Sequence, residues 1–149
     1  MNELQLLNDF IIAEFDKNPI VNTITTLPSF EVDLNKETVF QLVNINLIDT
    51  NVDYNIVTAN YEVIIVQQRN VAPKVTDSKL MNDSNLMDNI NECHYTASKF
   101  INVLERTYSK NIDLAELGTI KILKDWSRNN LDGVRFNMSL STPNLGRTC

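Results

Sequence analysis

Apolar and polar positions along this 149-residue chain fall into two kinds of period. Near the start, Leu4, Leu7, Ile11 and Phe15 recur at intervals of three and four, one stripe of a helix expected over Asn2 to Asp16. Asn2 is placed to cap it, Gln5 falls at its third position, and Pro19 stops it by disfavouring helix at Asn18. Leu86, Ile90, Cys93, Ala97, Phe100, Ile101, Leu104 and Tyr108 form a second and longer stripe, capped by Ser84 or Asn85.

Between and after these helices the period is two. Val21 to Thr26 is a short β-branched run cut off by Pro28 and reads as a weak edge strand or extended arm. Thr38 to Ile48 reads as a firmer strand, with Val39, Val43, Ile45 and Leu47 on one face. Asp49 to Asp53 (DTNVD) has the residues of a turn. Tyr54 to Arg69 then returns as one long strand whose middle, Val63 to Val66, is apolar on both faces, so the pair is expected to form a hairpin that overhangs the core. Asn70 to Asn85 is polar, holds Pro73 and reads as a long loop. After the second helix, NIDLAELG reads as a connector, Gly118 to Trp126 as a strand and Arg128 to Gly133 as a turn. Val134, Phe136, Met138 and Leu140 alternate with Arg135, Asn137, Ser139 and Ser141 in a final strand with one wet face. The expected order is therefore α-β-β-β-α-β-β. It describes one α+β domain over residues 1–149, an antiparallel sheet packed on one face by two α-helices, with an arm at about 18–37 and a loop at about 70–85.

Composition changes this picture little. The hydrophobic fraction of 43% and charged fraction of 21% are those of a globular chain with a real core. A net charge of -6 argues against wrapping nucleic acid, which needs clustered Lys and Arg. It does not exclude a protein past which DNA slides without sticking. Cys93 and Cys149 make no disulfide framework, so a reducing compartment is expected. MNELQLLNDF carries no signal-peptide pattern, and no stretch has the length of a membrane span.

The chemistry-bearing residues do not converge on a reaction. His94 is the one histidine, and its neighbour Cys93 points about 100° away on a helix, which serves neither a shared metal nor a Cys–His nucleophile. No Glu-x-Lys accompanies the acids as a metal-dependent nuclease would require. There is no Gly-rich phosphate loop, G-x-S-x-G or C-x-x-C either. The expectation is a chain without catalytic, cofactor-binding or metal-binding residues. Trp126, at a strand end, is a candidate interface anchor, with Arg128 and Arg135 flanking the following turn. Asn137 and Ser139 on the wet face, and Asp49, Asn51 and Asp53 at the hairpin, complete the candidate interface residues.

Four stretches in sequence, VNTIT…VDLNKETVF, NIVTANYEVIIVQQRN, NLMDNINECHYTASKFINVLERTY and KDWSRNNLDGVRFNMSLSTPN, resemble the tail-terminator and tail-completion proteins of tailed bacteriophages, and virion proteins of phages infecting Bacteroidetes. The resemblance covers nearly the whole chain, through sheet and helix patterning. It implies a structural virion protein made in the host cytoplasm. Its subunits would form a homo-oligomeric ring, six- or twelve-fold, at the head–tail neck or tail top, joining portal or connector to tail proteins. DNA would pass through the channel without specific binding, and no cofactor or membrane would be involved. The chain exceeds compact members of that family in length, which points to a neck ring of a short-tailed phage as an alternative to a long-tail terminator. Outside the virion, the same features suit a phage-encoded binding module or adaptor that uses its sheet edge.

Overall fold

A computed structural model describes residues 3–26, 41–68, 86–106, 112–126 and 131–144, with the side chains of Asp125 and Trp126 excepted. The order is α1 (Glu3–Asp16), β1 (Thr23–Thr25), β2 (Leu42–Val52), β3 (Ile56–Gln68), α2 (Leu86–Arg106), β4 (Asp113–Leu117), β5 (Lys121–Trp126) and β6 (Leu131–Pro143). This is the expected α+β succession with one further short strand, β4. The residues of the 70–85 loop, and most of the 18–37 arm, lie outside the described residues.

The six strands form one sheet in the order β1-β2-β3-β6-β4, with β5 also paired to β6. All pairs are antiparallel except β1 with β2. The central pair is β3–β6, a continuous ladder from Ile56↔Pro143 to Gln68↔Leu131. Its 13-residue strands are roughly 43 Å long at about 3.3 Å per residue. Alternation then assigns the faces. Val57, Ala59, Tyr61, Val63 and Ile65 of β3, with Val134, Phe136, Met138 and Leu140 of β6, are buried on the side that carries both helices.

Helix α1 contributes Leu7, Phe10, Ile11 and Phe15 to that core, and α2 contributes Cys93, Ala97, Phe100, Ile101 and Leu104. The helices meet where Phe15 stacks on Phe100, with centroids 4.2 Å apart and planes 18° from parallel. As the proline predicts, α1 ends ahead of Pro19. Asn18 folds into the turn, its N–H donating to Phe15 O and its Oδ1 accepting from Ile20 N. A smaller apolar cluster, Leu42, Ile64, Val66, Leu123 and Leu131, is buried on the opposite side of the sheet, so Val63 to Val66 is buried on both faces as expected.

Three sequence expectations are corrected here. Asp49 to Val52 is strand, and the turn lies at Asp53 to Asn55. The ladder survives because a register shift between Leu47 and Asp49 absorbs Ile48 and lets pairing resume at Asp49↔Asn60. Asp53 supplies the turn, its Oδ1 accepting from Asn55 N at 2.8 Å and Ile56 N at 2.7 Å. NIDLAELG is no simple connector, because Asp113 to Leu117 pairs with the edge of β6. Only Leu114 among these five is even half-buried, so the segment shows no alternation to read. Leu131 to Gly133 belongs to β6 and not to a turn, with Leu131 and Asp132 fully buried.

Gly133 is required by close approach of the central strands. A Cβ there would stand 1.9 Å from Ile65 O and 2.9 Å from the Val66 Cα, both backbone atoms that cannot move without disturbing the ladder. Gly133→Ala is therefore expected to lower stability by about 2 kcal/mol or more, seen as a lower urea midpoint with unchanged slope. Val134→Asp and Phe136→Asp, at positions 0% and 1% exposed, are expected to abolish folding, read by loss of the cooperative transition.

Candidate functional site

Face alternation leaves the far side of the sheet polar at its hairpin end. The register aligns Asp49 with Asn60, Asn60 with Ser139 and Ser139 with Glu116, one row across four strands. A second row aligns Asn51, Thr58, Ser141 and Asp113. Side chains join along the rows: Asn60 Nδ2 donates to Asp49 Oδ1, Ser139 Oγ donates to Asn60 Oδ1, and the Thr58 and Ser141 hydroxyls lie 3.1 Å apart. A shallow cavity of about 400 Å³ opens over the first row, lined by Asp49, Asn60, Asn137, Ser139, Glu116 and the Gly118 backbone among others. A smaller depression of about 120 Å³ adjoins it where Glu62, Lys121, Arg135 and Asn137 meet. Glu62 Oε1 is buried there and has no hydrogen-bond partner.

Of the sequence candidates, Asp49, Asn137 and Ser139 come together at the cavity, Arg135 lies beside it, and Asn51 sits in the next row on the same face. Asp53 stands apart at the hairpin turn, where Asn144 Nδ2 donates to its carbonyl at 2.6 Å. Trp126 pairs through its backbone with Leu131, whereas its side chain and all of Arg128 lie outside the described residues. Sequence reasoning missed Asn60, Glu62 and Glu116 as members of this surface. The first two were visible in the period of β3, where Thr58, Asn60 and Glu62 interleave with Val57, Ala59, Tyr61 and Val63. Glu116 had no such signal, because its strand was read as a connector.

The rows present hydroxyls, amides and carboxylates to solvent, a hydrogen-bonding surface with acids at both margins. Among the described residues no group of three His, Cys, Asp or Glu could hold a metal ion, and no helix is long and apolar enough to cross a membrane. The hairpin also exposes large apolar side chains: Ile48, which lines the cavity, at 53%, and further out Val52 at 62%, Tyr54 at 64% and Ile56 at 44%.

Under α2 lies the other concentration of polar groups. Thr96 Oγ1 donates to Gln41 Oε1 at 3.0 Å, and Gln41 Nε2 reaches Cys93 Sγ at 3.6 Å. Gln41, Thr96 and Cys93 are all at most 1% exposed. This network ties the helix to the first residues beside β2. Burial pushes the Cys93 thiol up to about 12, with the Gln41 hydrogen bond opposing and the Glu92 and Asp132 charges adding to the rise. A thiol so placed is a core group and a poor nucleophile. His94, one residue on, is exposed on the other side of the helix beside Ser98. Burial likewise raises the Tyr61 phenol to about 12, its O–H donating to Asn8 Oδ1 at 2.8 Å.

Compared with protein-family models and with curated proteins, the chain matches none of them.

The two buried acids set an alkaline limit. Both are held neutral in the folded chain, so the stability they contribute is whole below about pH 9 and is lost as pH climbs towards 12. Urea midpoints are expected to fall through that window, and Tyr61→Phe to flatten the part of the curve above pH 10. Native Cys93 should resist a thiol reagent at pH 8 and react on unfolding.

Proposed function

We propose that this chain is a structural virion subunit, one copy of a homo-oligomeric ring at a phage head–tail neck or tail top, joining capsid connector to tail around the DNA channel. The exposed apolar side chains of the hairpin, Ile48, Val52, Tyr54 and Ile56, carry the reading, because they suit this part of the domain for contact with another protein chain. Ring subunits need such surfaces on opposite sides, since closed rings are built from head-to-tail contacts. The net charge of -6 supports a channel that repels phosphate and lets DNA slide. Asp49, Asp113 and Glu116 add to that charge on the polar face. The resemblance of the sequence patterning to tail-terminator and tail-completion proteins is what favours this assembly over other rings in our reading. In this reading the protein acts by shape and adhesion, without catalysis or cofactor.

A second reading, a phage-encoded adaptor outside the particle, draws on the exposed outer edge of β2, which can accept an extended segment from a partner. Mass spectrometry of purified particles separates the two: the ring reading expects this chain at a fixed copy number per particle, and its absence would overturn that reading.

Arg135 is on the polar face opposite the helices, while its neighbours Val134 and Phe136 are buried under them. Arg135→Glu is expected to leave the unfolding free energy within about 0.5 kcal/mol and to lower the oligomer mass measured by light scattering. Unfolding of the isolated subunit by this change would contradict the face assignment.

A further inference from the structure

The sheet ends in two exposed strand edges, and their placement matches. On one side, β1 pairs with β2 only at Leu42, Val43 and Asn44. Beyond it no described strand lies along the outer edge of β2, and every residue from Ile48 to Val52 is exposed. On the other side, β4 offers Asp113 to Leu117, with every residue but the half-buried Leu114 exposed and no described strand beyond it. Row by row, Asp49 stands at the level of Glu116 and Asn51 at the level of Asp113. The two edges left uncovered among the described residues therefore occupy the same height of the sheet.

Their directions also fit. β2 is antiparallel to β3, β3 to β6 and β6 to β4, so β4 runs opposite to β2. A second copy placed alongside, without a shift along the strands, sets its β4 antiparallel against the first copy's β2. Pairing each edge with its own kind would be isologous and would close one edge of each copy while leaving the other bare. Head-to-tail pairing closes both edges in every subunit. It also sets the exposed Ile48 beside the neighbour's Leu117.

We infer that neighbouring copies of this chain join by sheet extension, β2 residues Ile48 to Val52 of one pairing antiparallel with β4 residues Asp113 to Leu117 of the next. The inference rests on the ring reading for closure of the series, whereas the pairing follows from the edges. The seam carries Asp49, Asp113 and Glu116, like charges that oppose association when unscreened.

The test places single thiols on the two edges, Thr50→Cys and Ala115→Cys, both at exposed positions, in a Cys149→Ser background that leaves only the buried Cys93. It is run at about 0.5 M salt, where screening shortens the reach of surface charges to roughly 4 Å. The cross-linker is a bis-maleimide spanning about 8 Å, the diagonal reach between neighbouring strands. Expected are covalent dimers in a mixture of the two single variants, none in either alone, and a ladder of species in the double variant. Dimers from Thr50→Cys alone or Ala115→Cys alone would show like-with-like pairing and overturn the inference. Oligomers by light scattering without cross-links would overturn the edge pairing and leave the ring reading standing. Monomers throughout, without cross-links, would count against both.

Discussion

The ladder between β3 and β6 is the constraint on which the rest of this fold depends. These two strands run side by side for their whole length, and β2, β4 and β5 each pair with one of them, while β1 joins through β2. A one-residue slip would carry Val134, Phe136, Met138 and Leu140 from the helix side to the polar side and expose the core. Gly133 holds the register from within, since only a residue without Cβ tolerates Ile65 O at that distance. With the register fixed, the faces follow, and with the faces fixed, both helices have one place to pack.

The same constraint builds the polar surface. Asp49, Asn60, Ser139 and Glu116 come from four strands, and only the register brings them into one row. The bulge at Ile48 matters here as much as the ladder. Without it Asp49 would turn to the side carrying the helices. It also leaves Ile48 outside the regular pairing, 53% exposed, at the start of the edge that no described strand covers. Polar row and exposed edge are thus consequences of one pairing scheme together with the local irregularities at Ile48 and at Ala115.

Where one residue type repeats on a face, the sequence was legible. The stripe through Cys93, Ala97, Phe100 and Leu104, and the alternation from Val134 to Leu140, report burial directly, and both elements stand where the periods put them. The edges were not legible, for a physical reason. An edge residue is solvated on its faces and on its outer side, so little pressure for alternation acts on Asp49 to Val52 or Asp113 to Leu117. Their acids and amides read as turn and connector. Buried Gln41 and Asp132 were equally hidden, because a polar residue satisfied inside a core looks like a surface residue in sequence. Candidate interface residues on β6 were recovered through period two, whereas Glu116 needed the three-dimensional register.

Amide hydrogen exchange on the monomer and on the proposed assembly tests the central claim most directly, because it reads the ladder and the edges together. Amides of β3 and β6 should exchange only by global unfolding in both forms. Amides of Ile48 to Val52 and of Asp113 to Leu117 that face outward should exchange freely in the subunit and become protected together on assembly. Protection of only one edge, or equal exchange of both edges before and after assembly, would contradict the account.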